Sequence, residues 1–186
     1  MRVITGLAKG KKLLTLSGEE VRPTTDRVKE SVFSVVQFSI QGRKFLDLFA
    51  GSGQMGIEAL SRGASQSVFV DSKRESIEVV KKNLKSTNLE DKAKILCLDS
   101  LKFLENTTEK FDIVFLDPPY STGILQKALP MVAKIMNKSG TIICENPQNE
   151  EINEEINEFR LDRIYHYGKI KISTYCHKDV IWWHAL

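Results

Sequence analysis

Short apolar runs alternate with amphipathic stretches through most of this chain. Runs at Lys44–Phe49, Ser67–Val70, Lys94–Leu98, Phe111–Leu116 and Thr141–Cys144 are four to six residues long and mostly apolar. That is the length and composition of strands covered on both faces. Between them, Gln54–Arg62, Arg74–Ser86, Leu101–Glu105 and Thr122–Met136 repeat apolar positions at helical spacing. Strand and helix in alternation predict βαβ units and a parallel sheet. Phe159–Tyr167 and Lys169–His177 are two further strand-like runs joined near Gly168, a link so short that they must pair antiparallel. Upstream, Arg2–Leu7 and Lys12–Leu16 read as a hairpin turning at Ala8-Lys9-Gly10-Lys11. Val21–Thr25, with Pro23, reads as an extended link. Thr25 or Asp26 then caps a helix to about Phe38, with Val28, Val32, Phe33, Val35 and Val36 on its apolar stripe. The acid-rich Glu150–Glu158 reads as a solvated helix or loop, and Val180–Leu186 fits no pattern. The predicted fold class is α/β: a Rossmann-like, mostly parallel sheet with a C-terminal antiparallel hairpin and a small N-terminal β-hairpin.

Composition changes this picture little. The 186 residues suit a single domain, 1–186, with 1–20 as a hairpin extension. Hydrophobic residues are 41% and charged residues 27%, ordinary for a globular protein. No apolar run approaches the roughly 20 residues of a membrane span, and the N-terminus has no signal-peptide core, so a cytoplasmic protein is expected. Cys97, Cys144 and Cys176 are far apart, form no CxxC pair and read as buried reduced thiols; His166, His177 and His184 have no metal-ligand spacing. No metal is expected. Charge is uneven: residues 1–44 hold nine Lys and Arg against four acids, whereas the remainder holds 18 against 20. A basic N-terminal arm on a near-neutral body suits a polyanionic partner, although a solvated basic surface would look the same.

Candidate chemistry starts at Asp47-Leu48-Phe49-Ala50-Gly51-Ser52-Gly53-Gln54-Met55-Gly56, where the first parallel strand turns into its helix. Open α/β sheets bind ligands at the carboxyl ends of their strands. Gly51, Gly53 and Gly56 match GxGxxG, and Asp71 closes the next strand where a ribose-binding acid belongs. Two ligands fit, a nicotinamide dinucleotide and S-adenosyl-L-methionine. Asp47 favours the second, because a carboxylate in this place suits an ammonium group and repels a pyrophosphate; a capping or turn Asp is the plain alternative. Asp99-Ser100 ends the third strand, where Asp99 can accept from an adenine amine and also cap the following helix. The candidate cofactor residues are Asp47, Phe49, Gly51, Ser52, Gly53, Asp71, Ser72, Asp99, Ser100 and Asp117.

The most specific signal is Asp117-Pro118-Pro119-Tyr120 after the fourth strand. Two prolines end the strand and fix the backbone extended. The Pro118 carbonyl and the Asp117 carboxylate then stand as adjacent acceptors, and Tyr120 offers an aromatic face. An exocyclic base amine is a poor nucleophile because its lone pair is delocalised into the ring. Two acceptors can bind its hydrogens, aim the lone pair and stabilise the charge developing on nitrogen. Tyr120 can stack on the base.

The sheet pattern resembles the seven-stranded methyltransferase sheet, and the tetrapeptide resembles the class I amino-methyltransferases. Arg22-Pro23-Thr24-Thr25-Asp26-Arg27-Val28-Lys29-Glu30-Ser31-Val32-Phe33 carries a narrower resemblance. With Met1–Gly10 before it and DLFAGSG and DPPY after it, the chain resembles the family that makes N2-methylguanine at position 966 of bacterial 16S ribosomal RNA. That resemblance implies S-adenosyl-L-methionine as cofactor and 16S rRNA in the small ribosomal subunit as partner. It also implies an N-terminal hairpin that meets RNA, here through Arg2, Lys9, Lys11, Lys12, Arg22 and Arg27. A monomer is expected. The rival readings are a DNA adenine or cytosine methyltransferase, a nicotinamide-dependent oxidoreductase and a non-catalytic RNA-binding assembly factor.

Overall fold

The computed structural model describes residues 1–16 and 26–180. The predicted link Val21–Thr25, Arg22 within it and residues 181–186 lie outside the described residues. The elements run in the order α1 (Asp26–Val35), β1 (Lys44–Asp47), α2 (Gln54–Ser61), β2 (Gln66–Asp71), α3 (Arg74–Thr87), β3 (Ala93–Cys97), α4 (Ser100–Asn106), β4 (Phe111–Leu116), α5 (Ile124–Lys134), β5 (Met136–Pro147), β6 (Glu155–Ile156), β7 (Phe159–Tyr167) and β8 (Ile170–His177). A single turn of 3-10 helix at Glu90–Lys92 leads into β3.

One sheet takes in every strand, in the order β3-β2-β1-β4-β5-β8-β7-β6. β1 to β5 pair parallel, β8 joins β5 antiparallel, and β7 pairs antiparallel with β8. Alternate strand residues enter two separate apolar cores. Phe45, Phe69, Ile113 and Phe115 pack with Val32, Phe33 and Leu60 on one face, whereas Leu46, Val68, Val114 and Leu116 pack with Phe103, Leu129 and Val132 on the other. The first three helices therefore cover one face and α4 and α5 the other, which is why the central strands read as continuous apolar runs.

The departures from expectation have local causes. The sheet has an eighth strand, because Ile156 in the stretch expected to be solvated is 3% exposed and pairs with Phe159. Among the described residues β3 has one neighbouring strand and is partly exposed, so Cys97 is an exposed thiol; Cys144 and Cys176 are buried as expected. α1 stops three residues before Phe38, in a turn closed by the Ser39 and Ile40 amides on the Val36 carbonyl. The two predicted N-terminal strands reduce to one bridge, Arg2 with Lys12. Across the turn the Val3 amide donates to the Lys11 carbonyl, the Gly10 amide to the Val3 carbonyl and the Leu13 amide to the Met1 carbonyl, and further backbone bonds go to α2: Glu58 accepts from the Ile4 and Thr5 amides at 2.8 and 3.0 Å, and Ser61 Oγ from the Ala8 amide at 2.9 Å. Val3, Ala8 and Leu13 sit in the core below. Gly6, at φ 86°, admits this contact, since a Cβ there would lie 1.8 Å from the Ser61 carbonyl oxygen.

Glu58 is the junction of this corner. Its side chain is fully buried, 2.8 Å from Arg62 Nε and 3.8 Å from the equally buried Lys29 Nζ, which donates to the Arg2 carbonyl. Burial lowers the Lys29 pKa from its ordinary value, while the Glu58 charge acts to raise it. Among the described residues, no helix is long and apolar enough to cross a membrane and no His, Cys, Asp and Glu cluster is arranged to hold a metal ion.

Candidate active site

The carboxyl ends of β1 to β5 open into a cavity of about 650 Å³. Each of these strands delivers one acid to its wall: Asp47 from β1, Asp71 from β2, Asp99 just past β3, Asp117 just past β4 and Glu145 near the end of β5. Lys73 is the one basic side chain among the described residues that line it.

The loop after β1 is shaped by its backbone. Phe49 holds φ at 138°, a conformation costly for a side chain with a Cβ, and the Phe49 and Ala50 amides both donate to the Val70 carbonyl. Gly51 and Gly53 follow at φ 53° and 77°. Asp71 Oδ2 accepts from the Gly51 amide and Asp71 Oδ1 from the Lys73 amide, both at 2.8 Å, so β2 fixes the loop that β1 begins. Gly56 is needed for a different reason: a Cβ there would lie 2.3 Å from the Phe69 ring, so only glycine lets α2 settle onto β2.

Asp47 is 2% exposed and its Oδ2 accepts from the Gly56 amide at 2.8 Å. It ties the helix start, as a capping or turn acid does, and also lines the cavity. Burial pushes its pKa up to about 7; the Gly56 hydrogen bond opposes that rise and the Asp71 charge adds to it. Asp99 caps α4 by accepting from the Lys102 amide at 3.0 Å.

Asp117 leaves β4 directly beside Glu145. Leu116 pairs with Cys144 in the parallel register, so the two acids are the next residues on neighbouring strands. The Asp117 pKa is raised well above the ordinary carboxylate value by burial, then by the Glu145 and Asp47 charges. A cation entering the cavity would reverse that effect and restore an ionised acceptor. The Pro119 carbonyl is occupied by Thr122 Oγ1 at 2.7 Å, whereas no hydrogen bond among the described residues engages the Pro118 carbonyl. Tyr120 is 43% exposed, and its hydroxyl donates to Glu145 Oε1 at 2.9 Å.

Every candidate cofactor residue except Gly53 lines this cavity, as do Pro118, Pro119 and Tyr120. Gly53 instead begins α2, with its Cα facing Val80 and Phe69. The candidate RNA residues lie elsewhere. Lys9, Lys11, Lys12 and Arg27 are exposed, and Arg2 pairs with Asp26 at 3.1 Å. Part of the N-terminal positive charge is structural: Lys29 is buried on Glu58, Arg43 pairs with Asp112, and Lys44 with Glu109.

Sequence reasoning missed Glu145, Gln54, Ser76 and Met1 in the cavity wall. Glu145 carried the same signal as Asp47, an acid closing an apolar strand. Gln54 Oε1 and Ser76 Oγ are buried with no hydrogen-bond partner among the described residues, which marks wall positions that suit a polar ligand. These two atoms and the five acids fit a cationic ligand bearing hydroxyl and amine donors, as S-adenosyl-L-methionine does. A pyrophosphate dinucleotide would meet repulsion from the same set.

A parallel sheet finished by an antiparallel hairpin, with acids at successive strand ends around one cavity, defines a Rossmann-like methyltransferase. The chain belongs to the family described as Conserved hypothetical protein 95, whose model matches residues 1–176. It is 37% identical over 180 residues to YlbH of Bacillus subtilis, by name a candidate rRNA methyltransferase, covering 94% of this chain and 98% of that protein. It is 38% identical over 149 residues to ribosomal RNA small subunit methyltransferase D of Haemophilus influenzae, covering 78% of this chain and 72% of that protein. Among solved structures, yhhF of Escherichia coli, by name a candidate methyltransferase, matches with a TM-score of 0.86 at 29% identity, covering 95% of this chain and 97% of that one. Fold, site and relatives agree on the class of reaction: this chain is a methyltransferase.

Proposed function

We propose that this chain transfers a methyl group from S-adenosyl-L-methionine to the exocyclic N2 amine of a guanine in 16S ribosomal RNA, at position 966, within the small ribosomal subunit. The observation that carries this reading is the Asp117–Tyr120 tetrapeptide at the end of β4, opening onto a cavity lined by Asp47, Asp71 and Asp99. The names of the relatives support ribosomal RNA of the small subunit as the substrate class.

Asp47 and Gln54 would hold the amino-acid end of the cofactor, Asp71 the ribose and Asp99 the adenine amine. When bound, the cofactor supplies a methyl group on a positively charged sulfur. The chain's own work is positioning and electrostatics. The Asp117 carboxylate and the Pro118 carbonyl accept the two amine hydrogens and point the nitrogen lone pair into the cavity. The Tyr120 ring stacks on the base, which has to be turned out of its helix to arrive there. As the new N–C bond would form, the methyl–sulfur bond would break with its electron pair returning to sulfur as a neutral thioether; the positive charge would pass to the nitrogen beside Asp117, which then takes the surplus proton or passes it to water. Arg2, Lys9, Lys11, Lys12, Arg22 and Arg27 would meet RNA phosphates.

The test is to incubate the protein with methyl-labelled S-adenosylmethionine and unmethylated small ribosomal subunits, then digest the RNA and identify the labelled nucleoside. Label in N2-methylguanosine is expected. Label in N6-methyladenosine or N4-methylcytidine would keep the tetrapeptide chemistry and reject the guanine assignment. Loss of labelling in Asp117→Ala with RNA binding retained separates an enzyme from a binding module.

A further inference from the structure

The Asp117 and Pro118 acceptors explain how an amine is held but not why the amine should belong to guanine. Adenine N6, cytosine N4 and guanine N2 are all planar amines with two hydrogens. What differs is the ring atom beside the amine. In guanine one of the two flanking ring nitrogens, N1, carries a hydrogen while N3 does not; in adenine and cytosine the ring nitrogen beside the amine is bare, with a lone pair. A site that selects guanine therefore needs a second acceptor beside the one that holds the amine.

Glu145 is such an acceptor. It is the residue next to Asp117 across the β4–β5 register, it lines the same cavity, and it is 4% exposed. Its Oε1 already accepts from Tyr120 Oη at 2.9 Å, so the group faces the side of the cavity on which the tetrapeptide lies. A carboxylate offers about four acceptor positions, so the same group can serve Tyr120 and a donor on the base together. Its placement also has a cost, because its charge is one of the causes that raise the Asp117 pKa.

We infer that Glu145 is the specificity-determining residue of this site, accepting the N1 hydrogen of the target guanine while Asp117 and Pro118 hold the N2 amine. The inference rests on the guanine-N2 reading above. A base presenting a lone pair in place of the N1 hydrogen would face a carboxylate in a dry pocket, which costs far more than the absence of one hydrogen bond. Tyr120 serves the same device: its hydroxyl sets the Glu145 carboxylate while its ring receives the base.

The test uses small subunits reconstituted with 16S RNA carrying guanine, 2-aminopurine or adenine at the target position. 2-Aminopurine keeps the N2 amine and lacks the N1 hydrogen. Wild-type protein should methylate the guanine subunit with kcat/KM at least roughly 10- to 100-fold above the 2-aminopurine subunit, the loss of one hydrogen bond to a charged group setting the lower bound. In Glu145→Gln, whose amide can present either a donor or an acceptor, that ratio should fall to within about threefold, through loss on guanine and gain on 2-aminopurine. Cofactor affinity, measured by calorimetry in the same variant, separates a weaker hold on the cationic cofactor, which lowers rates on both bases alike, from a loss of base selection, which changes their ratio. Tyr120→Phe should lower turnover yet retain most of the guanine preference; if it erased the preference as Glu145→Gln does, Glu145 would be acting only through Tyr120 and the inference would fall. Equal rates on guanine and 2-aminopurine in wild type would overturn it without needing any variant. No N2-methylguanosine from the guanine subunit would instead reject the guanine-N2 reading itself, and this inference with it.

Discussion

Asp117 and Asp47 are both buried acids in the cavity, but they answer to different measurements. Asp117→Asn keeps the shape of the loop and removes the carboxylate that the proposed function sets beside the reacting nitrogen. Its kcat should fall by about 100- to 1000-fold, the usual loss for one preorganised electrostatic group, with cofactor affinity within a few-fold of wild type. Single-turnover methyl transfer read alongside calorimetric titration distinguishes this from a folding defect. Asp47 sets a pH dependence. Its folded pKa of about 7 stands above the ordinary 3.8, so the folded protein holds a proton there that the unfolded chain has released. The associated stability is fully present below about pH 4 and is lost as pH rises through about 7, amounting to at most about 4 kcal/mol. Denaturant midpoints of ligand-free protein should therefore fall from pH 5 to pH 8 more steeply in wild type than in Asp47→Asn. Equal slopes would show that Asp47 is ionised in the ligand-free fold. The same variant should bind S-adenosylmethionine more weakly at pH 8, where wild type offers a full negative charge.

The loop after β1 and the N-terminal segment show how elements share responsibility for the site. β1 ends in Asp47, β2 ends in Asp71, and each holds an amide of the connection that follows β1: Gly56 for Asp47, Gly51 for Asp71. The start of α2 is thus pinned from two strands. Its other end carries Glu58, which binds the Ile4 and Thr5 amides, Arg62 and Lys29 at once. Glu58→Ala would leave Lys29 buried without its counter-charge and two amides without acceptors, at a cost of about 3–5 kcal/mol. Hydrogen exchange at Ile4 and Thr5 should accelerate well beyond that of β4 amides in the same variant. Met1, Thr15 and Leu16 belong to this segment and line the cavity, so cofactor affinity should fall as well. A stability change under about 1 kcal/mol would mean that the core packing of Val3, Ala8 and Leu13 holds the segment without Glu58.

On the scale of the molecule, the cavity acids are set apart from the exposed lysines of the N-terminal segment. Five carboxylates gather around the cavity, while Lys9, Lys11 and Lys12 are exposed on the segment that supplies part of its wall. Under the proposed function, a polyanionic substrate would be attracted by the lysines and kept from filling the acidic cavity, which suits a cationic cofactor. Replacing Lys9, Lys11 and Lys12 together by Ala should raise KM for small subunits while leaving kcat at saturation near wild type. The slope of log affinity against log salt should become shallower by roughly 0.7–0.9 for each phosphate that the variant no longer neutralises. An unchanged slope would place the RNA-binding surface elsewhere.

Local pattern was enough to foresee much of this molecule. The apolar periodicity of residues 44–177 announced an alternating α/β sheet with an antiparallel end, because burial on two faces leaves strands that are apolar throughout. The tetrapeptide and the acids after the first four strands were legible because the connections at strand ends carry their chemistry in a few consecutive residues. The fates of Cys97, Ile156 and Lys29 were not legible. A thiol on a strand with one neighbour is exposed, an isoleucine in an acidic stretch is buried once an edge strand takes it, and a lysine counted with the basic arm sits in the core opposite Glu58. Each outcome depends on which distant segment arrives, and periodicity carries no information about that. Glu145 shows the limit most directly. The sequence by itself determined that an acid closes the fifth strand; only the parallel register of β4 and β5, set by side-chain packing on both faces of the sheet, put that acid beside Asp117.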